Sequence, residues 1–507
     1  MPSSDSSAPR FAPGWRWLAA AGALIVLAHA PSFFHRLLDS DEAIYASIAA
    51  LMNQGGALYS DGGADNKPPG IFWVYAATFR IFGTYQMTAI HLVALLVIAG
   101  TCLLLFLAGR QLSNSRAGLL AAVLYGVLTA QGNPGLLAAN AEALMMLPLT
   151  ASVLLILRRQ WLWSGALLVA AIAFKQVAAA NLLLLPAALV FLEPEYKRFR
   201  VAVMFAAGLS AGLLVGAAIL ELTSSLTGFW RWSVASLYGQ ATMNWRPDQL
   251  WFRVRYSLPF FIGGTAVLWV ATLALASRWK RLDASERVVV VWLAVSALGS
   301  VAGGHLFYHY FIQVIGPLAL LAGIAIDWAL ENSTRARRAN FPSRRWIAGV
   351  IVVGVAVPTV AWGAYDLVAD PLTYDRGPPV PQHAQVAAYI DAHTRPENRI
   401  FVWGDSPNLY VESDRLMASR FPGFLRGFAR GSGLPPNNWD TAPDVWPELQ
   451  ADLARNPPTL IVDTAAAGWS DFAIYPMRNY PVLRELVTTK YHLVAVVDRV
   501  AIYARNS

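Results

Sequence analysis

Carboxylates, a lysine and two prolines are concentrated in the segment 39–70, between the first apolar stretch of the chain and the next. Asp41 and Glu42 stand near its start, and Lys67 directly precedes Pro68-Pro69. Unpaired charge close to hydrocarbon is costly, so this segment indicates chemistry rather than a plain connection. A carboxylate can act as a general base, and a lysine beside rigid backbone can bind a phosphate. We predict that the reaction of this protein occurs in this loop.

Three later positions carry groups of the same kind. Glu142 lies just inside an apolar stretch, and Lys175 interrupts two short apolar stretches, where an ionisable residue indicates function. His305 and His309 share a helix face because they are four residues apart, and Tyr310 follows them. Two histidines make a weak metal site, so hydrogen bonding to a phosphate is favoured over metal binding, and a purely structural interfacial histidine has the same weight as those two roles together. The sequence shows no nucleotide fingerprint and no zinc pattern.

Each of these residues also has a purely structural interpretation. Asp41, Glu42 and Glu142 could complement helix dipoles, because acids near a helix N-terminus are stabilising. Lys67 could extend towards the membrane surface, and Lys175 could mark an ordinary turn. A divalent metal held by Asp41 and Glu142 also remains open.

Two helices are predicted to position the groups of the first loop. Asp39-Ser40 can cap a helix that begins near Asp41 and ends at Gly55-Gly56. The segment 71–82 predicts a second helix after the Pro-stiffened turn. We expect both to lie along the membrane interface, the first with its apolar side in lipid.

The composition is that of a polytopic membrane protein. Of the 507 residues, 56% are hydrophobic and only 14% are charged, whereas soluble domains carry about 25% charged residues. The net charge of +8 comes from basic residues clustered between apolar stretches, which indicates positive-inside anchoring rather than nucleic-acid binding. Cys102 is the one cysteine, so no intrachain disulfide can form.

Hydropathy predicts about eleven transmembrane helices, because a span needs roughly 20 apolar residues. The predicted spans are 16–34, 86–108, 117–132, 140–157, 161–174, 177–192, 201–221, 256–276, 287–304, 306–326 and 346–366. Alternating the sides places every basic loop inside and the acidic motifs outside, with a cytoplasmic N-terminus. The first span is expected to remain uncleaved.

The last part of the chain has a different character. Residues 1–366 form the predicted membrane domain, whose first outer loop is 35–85, and 367–507 form a small soluble α/β domain on the outer side. Helices are predicted over 382–393 and 445–455. Strands are predicted over 399–404 and 459–463, and 491–503 is expected to form two strands or a hairpin.

The motifs of the segment 39–70 resemble the first periplasmic loop of GT-C-fold glycosyltransferases, above all the protein O-mannosyltransferases and the lipid A aminoarabinose transferases. Later segments resemble other parts of the same enzymes. The segments that carry the resemblance are Asp41-Glu42-x-x-Tyr45, Gly55-Gly56-x-x-Tyr59-x-Asp61, Asp65-x-Lys67-Pro68-Pro69, Asn140-Ala141-Glu142, Phe174-Lys175-Gln176 and 303–317. The chain departs from the aminoarabinose group at Asn66, where that group has a glutamate. The resemblance implies a polyprenyl-phosphate-linked sugar donor and the inner membrane of a bacterium.

The resemblance implies roles for individual residues. The expected catalytic residues are Asp41, Glu42 and Glu142, with Asp41 as the general base of a single inverting displacement. Donor phosphate is expected to contact Lys67, Lys175, His305, His309, Tyr310, Arg253 and Arg255. Sugar or acceptor is expected to contact Tyr45, Tyr59, Asp61, Asp65 and Asn140. The acceptor is a glycan, a lipid or a protein.

Two other functions fit the same sequence less well. A lipid or glycan flippase would place ionisable residues at mid-membrane in two related halves, whereas the charged motifs here gather at the outer ends of the spans. An oligosaccharide ligase or polymerase of related fold would differ in the length of its donor. The sequence does not identify the sugar or the prenyl length.

Overall fold

The helices of the membrane part follow one another through short turns. The computed structural model describes residues 14–131, 134–235, 247–304, 306–335, scattered positions in 343–357, 381–422 and 445–506. The helices up to residue 335 are α1 (Trp15–His29), α2 (Ser40–Asn53), α3 (Gly70–Phe82), α4 (Met87–Leu112), α5 (Ser115–Leu128), α6 (Pro134–Leu137), α7 (Ala141–Leu157), α8 (Trp161–Ile172), α9 (Leu184–Leu192), α10 (Glu195–Thr223), α11 (Leu226–Phe229), α12 (Pro247–Gly264), α13 (Ala266–Ala276), α14 (Ala284–Ala302) and α15 (Ile312–Arg335).

Five helical segments are long and apolar enough to cross a membrane, and a sixth crossing is possible for α12 and α13, which are bent by 73°. The five are Trp15–Phe34, Met87–Leu112, Glu195–Thr223, Ala284–Ala302 and Tyr308–Ser333. Every predicted span from 16–34 to 306–326 coincides with a helix or a helix pair, but several are short. The count of eleven therefore stays a prediction, and the predicted span 346–366 lies largely outside the described residues.

Glycines let some of these helices touch backbone to backbone. A Cβ on Gly208 of α10 would lie 1.9 Å from the carbonyl oxygen of Leu162 in α8. A Cβ on Gly165 of α8 would lie 2.3 Å from the carbonyl oxygen of Phe205. Small residues at such crossings are the usual means of close helix packing in membranes. This packing joins the N-terminal part of α8 to α10.

The two helices of the first loop form as predicted, but their surroundings differ from the prediction. Helix α2 begins at Ser40 behind the cap Asp39, whose side chain accepts a hydrogen bond from Asp41 N. Its apolar residues Ile48 and Leu51 are buried inside the protein, so they do not lie in lipid as we expected. The physical reason is that α3 and the C-terminal part of the chain cover this face.

The C-terminal part contains a five-stranded sheet with helices; four of the strands lie where the sequence predicts strands, whereas the short strand Leu416–Met417 was not predicted. The strands are β1 (Arg399–Trp403), β2 (Leu416–Met417), β3 (Leu460–Asp463), β4 (Tyr491–Val497) and β5 (Val500–Arg505). Their order is β2-β1-β3-β5-β4, parallel from β2 to β3 and antiparallel beyond it. The helices are α16 (Pro381–His393), α17 (Asn408–Glu412), α18 (Val445–Arg455) and α19 (Pro481–Lys490).

This sheet domain lies directly on the first loop. The Tyr85 hydroxyl donates to the carbonyl oxygen of Arg415 over 3.1 Å, and Arg36 forms an ion pair with Asp414. The contact buries Tyr85, whose exposed fraction is 3%. The division at residue 366 falls outside the described residues and stays a prediction.

Candidate active site

Asp41 lies in the first turn of α2 with its carboxylate partly open. The Tyr45 hydroxyl donates to Asp41 Oδ2 over 3.2 Å, and Lys67 Nζ lies 3.4 Å from the same oxygen. The spacing of four residues between Asp41 and Tyr45 puts both on one helix face, which explains the hydrogen bond. The sequence therefore brings a hydroxyl and an ammonium to one carboxylate.

The Lys67 turn is rigid at its backbone as well as at its prolines. Asp65 Oδ1 accepts a hydrogen bond from Lys67 N over 2.9 Å, and it lies 3.8 Å from Lys67 Nζ. The Tyr59 hydroxyl donates to the carbonyl oxygen of Lys67 over 2.7 Å. Asp65 and Tyr59, predicted to contact sugar or acceptor, thus hold the lysine turn.

A second lysine–carboxylate pair lies deeper. Lys175 Nζ donates to Glu142 Oε1, and both side chains are buried. The ammonium also lies 3.8 Å from the centroid of the Tyr310 ring, a cation–π distance. The other oxygen of Glu142, Oε2, is buried and has no hydrogen-bond partner in the part of the chain that the structure describes. This oxygen is available to accept from a ligand hydroxyl.

His309 joins the two sets of acids. Its Nε2 lies 3.7 Å from Glu142 Oε1 and its Nδ1 lies 3.8 Å from Asp39 Oδ2. Asp39 also accepts from the Asn140 amide over 3.3 Å. Asn140, predicted to bind sugar or acceptor, therefore holds Asp39 with its nitrogen. Its buried Oδ1 receives no hydrogen bond from any described residue, so it can accept one from a ligand.

The charges in this cluster set the protonation of its carboxylates. Burial opposes ionisation of Asp41, but Lys67, His309 and Lys175 outweigh it and hold the pKa of Asp41 well below its usual range. Burial and the neighbouring Asp41 charge raise the pKa of Asp39. The pKa of Lys67 is raised despite burial, because Asp41 and Asp65 favour the ammonium. Asp41 is therefore held ionised, the form in which a carboxylate can accept a proton.

Glu42, which was also predicted to be catalytic, has surroundings that differ from those of Asp41. It is fully buried, and its Oε1 accepts from Ala139 N over 2.7 Å and from His91 Nε2 at 3.1 Å. Its Oε2 accepts from Leu38 N over 2.8 Å. With both oxygens occupied, Glu42 ties α2 to α4 and to the segment before α7. His91 and Ala139 are 49 and 97 residues away along the chain, so no local sequence pattern shows these two contacts.

Two other predicted residues lie outside the cluster, and the side chains of two more cannot be placed because they fall outside the described part of the chain. Asp61 is exposed, and its Oδ1 accepts from Ala57 N over 3.0 Å, which closes a loop turn. Arg255 is exposed on α12. His305 lies outside the described residues, as does the side chain of Arg253.

The carboxylates do not form a metal site in the part of the chain that the structure describes. No group of three or more His, Cys, Asp or Glu there is arranged to hold a metal ion. Asp41 and Glu142, the two predicted ligands, each have a lysine ammonium beside them. In each case the ammonium supplies the positive charge that a metal ion would bring.

The sequence alone did not single out Gln176 as a contact between loops. Its Nε2 donates to the carbonyl oxygen of Asn66 over 2.6 Å and to that of Ser233 over 2.9 Å. Beside it, Gly70 N donates to the carbonyl oxygen of Ala173 over 2.7 Å, and a Cβ on Gly70 would lie 2.6 Å from that oxygen. The turns that carry Lys67 and Lys175 are thus joined.

Comparison with known proteins adds to this geometry. Residues 66–220 match the family model described as dolichyl-phosphate-mannose-protein mannosyltransferase. Among curated protein sequences, none matches the chain significantly.

Solved structures match over nearly the whole chain. ArnT from Cupriavidus metallidurans bound to undecaprenyl phosphate has a TM-score of 0.60 at 16% identity, with 98% of this chain and 99% of that chain covered. The oligosaccharyltransferase AglB of Archaeoglobus fulgidus, in complex with an inhibitory peptide and a dolichol-phosphate, scores 0.54 at 12% identity and covers 97% and 74%. The arabinofuranosyltransferase AftD from Mycobacteria scores 0.51 at 14% identity and covers 98% and 40%.

These matches confirm the resemblance that the loop motifs indicate. The aligned structures all belong to glycosyltransferases of the GT-C type. The alignment with ArnT covers both the membrane helices and the C-terminal part of this chain. The chain is therefore an integral membrane protein with the GT-C glycosyltransferase fold.

Proposed function

We propose that this protein is an inverting glycosyltransferase that moves a monosaccharide from a polyprenyl-phosphate donor to an acceptor hydroxyl. The observation that carries the proposal is the ionised Asp41 carboxylate, partly open, beside Lys67. It is supported by the fold shared with ArnT, which was solved with undecaprenyl phosphate. The acceptor is a glycan, a lipid or a protein on the outer face of a bacterial inner membrane.

The reaction needs one base and one set of phosphate ligands. Asp41 takes the proton of the acceptor hydroxyl while that oxygen attacks the anomeric carbon. The bond from the anomeric carbon to the phosphate oxygen breaks, and the lipid phosphate leaves with the electron pair. Lys67 and Lys175 balance the charge of the leaving phosphate. One displacement inverts the anomeric centre.

Polar groups at the buried end of the site fit the sugar. Glu142 Oε2 and Asn140 Oδ1 are buried acceptors that have no hydrogen-bond partner among the described residues. An unpaired buried acceptor is costly, whereas a sugar hydroxyl would satisfy it. His309 and Tyr310 lie between Glu142 and the outer residues and would line the donor side.

Transfer by an Asp41→Asn variant tests this proposal. Purified protein in detergent receives a radiolabelled polyprenyl-phosphate sugar and candidate acceptors, and labelled product is counted. We expect the Asp41→Asn protein to fold normally and to lose about 10²–10⁴-fold in rate, since a neutral amide cannot accept the proton. The control is Glu221→Gln, which removes an exposed carboxylate from α10. Near-normal transfer by Asp41→Asn would falsify the assignment of the base.

A second candidate is an oligosaccharide transferase, which the similarity to the archaeal AglB favours. The two proposals differ in the donor. Offering lipid-linked monosaccharide and lipid-linked oligosaccharide to the same preparation separates them. We expect turnover with the monosaccharide alone, and preferred use of the longer donor would support the second candidate.

A further inference from the structure

The sheet domain touches the turn that carries Lys67. Ala64 N donates to the carbonyl oxygen of Arg420 over 3.0 Å. Ala64 directly precedes Asp65, whose carboxylate accepts from Lys67 N. Only a few covalent and hydrogen bonds therefore separate Arg420 from the Lys67 backbone.

Arg420 is itself held firmly within the sheet domain. Its Nε and one terminal nitrogen donate to the two oxygens of Asp452, each over 2.8 Å, and its backbone N donates to Asp452 over 3.0 Å. Another guanidinium nitrogen lies 3.4 Å from Glu448. Both acids belong to α18. A paired fork of this kind fixes direction as well as distance, which a single lysine contact would not do.

One of these two acids also links the sheet domain to a segment that contacts the Lys175 turn. Glu448 also pairs with Arg231, which lies in the helical segment Trp230–Ala235. Ser233 of that segment accepts from Gln176, and Gln176 donates to the Asn66 carbonyl. The Lys67 turn is therefore held between the sheet domain on one side and the Lys175 turn on the other.

The turn has little freedom of its own to compensate for a lost contact. Gly63, next to Ala64, has φ +126°, a conformation that L side chains rarely adopt. A Cβ there would also lie 2.7 Å from the Ile48 side chain in α2. The backbone at this point contacts α2 on one side, and at the next residue it is held by the carbonyl oxygen of Arg420.

We propose that the sheet domain is a working part of the active site, and that Arg420 is a positioning residue that sets the Lys67 turn for the donor phosphate. The proposal rests on the proposed function for the role of Lys67. Arg420 acts through Ala64 and does not touch the donor. The α18 acids Glu448 and Asp452 are needed because they fix Arg420.

Hydrogen exchange measures this positioning without any substrate. We compare Arg420→Ala, Arg420→Lys and the control Arg455→Ala, which removes an exposed cation of α18 that also lies near Asp452. We expect amides in 57–67 to exchange at least about tenfold faster in Arg420→Ala than in the control, with Arg420→Lys between them. Unchanged exchange in a folded Arg420→Lys protein overturns the proposal, whatever the protein transfers.

Kinetics then separate positioning from plain stability. We expect Arg420→Lys to raise the donor KM about tenfold at nearly constant kcat, since lost alignment weakens a charge-assisted phosphate contact. In a Lys67→Met background the same change should have no further effect on KM. Equal effects in both backgrounds overturn the coupling. If no sugar is transferred, the proposed function fails but the positioning role can still be tested. The Arg420→Lys and Lys67→Met single and double variants are then compared by their thermal stabilisation with undecaprenyl phosphate and by hydrogen exchange in 57–67.

Discussion

The two lysine–carboxylate pairs of the site have the same chemistry but different surroundings. Lys175 and Glu142 have side chains that are 6% and 0% exposed, and Lys67 and Asp41 have side chains that are 14% and 22% exposed. The deeper pair also has the Tyr310 ring against its ammonium. The difference teaches that burial, rather than residue type, separates the fixed pair from the reactive one.

The physical reason lies in the cost of separating charges. A buried ion pair that loses one partner leaves an uncompensated charge in a poor solvent. A pair with access to water can exchange its partner for a substrate group at little cost. Glu142 and Lys175 therefore suit a fixed part of the site, in which the ammonium keeps its carboxylate while it balances the phosphate charge. Lys67 and Asp41 suit groups that change partners when the donor phosphate and the acceptor bind.

The largest expected effect breaks the deeper pair. Glu142→Gln leaves the Lys175 ammonium buried without its carboxylate, so we expect a loss of about 3–5 kcal/mol in the free energy of unfolding. Thermal unfolding of the purified protein measures it. Adding Lys175→Met should recover much of the stability because no lone charge remains, without restoring transfer. An unfolding temperature equal to that of the wild type would show that the pair is hydrated after all.

The next effect tests the more open pair. Lys67→Met removes a phosphate contact worth about 1.5–3 kcal/mol, so we expect the donor KM to rise by roughly 10–100-fold. The stability of the fold should change by less than about 1 kcal/mol, since water can solvate the remaining carboxylates. Initial rates at varied donor concentration and thermal unfolding measure both. A stability loss as large as that of Glu142→Gln would erase the distinction between the pairs.

The smallest effect sharpens the comparison through pH. Tyr45→Phe removes the hydroxyl that donates to Asp41, so the pKa of Asp41 rises. A general base works in its ionised form, hence the acidic limb of the rate–pH profile should move to higher pH. The plateau rate should fall by about 2–10-fold.

The control for this prediction is another buried tyrosine. Tyr75 donates to the carbonyl oxygen of Ala139 over 3.1 Å rather than to Asp41. Tyr75→Phe should therefore leave the acidic limb in place. A limb that moves equally in both variants would mean that the shift reports general loosening of the loop.

The local parts of this structure were predictable from the sequence. The Asp39 cap, the end of α2 before Gly55-Gly56 and four of the five strands depend on near neighbours, and the structure has them where the pattern puts them, whereas the two-residue β2 was not predicted. The contacts of Glu42 and His309 depend on residues far along the chain, and no periodicity encodes such pairs. The lipid-facing side expected for α2 was wrong for the same reason, because its covering elements are distant in sequence.

The joined turns of Lys67 and Lys175 have a consequence for the size of the headgroup. Gly70 is hydrogen-bonded to Ala173, and Gln176 is hydrogen-bonded to Asn66. The two turns are therefore joined by hydrogen bonds before and after each lysine. The two ammonium groups are therefore held at a fixed separation. Because that separation cannot widen for a longer anion, we expect the protein to distinguish lipid monophosphates from lipid diphosphates by size.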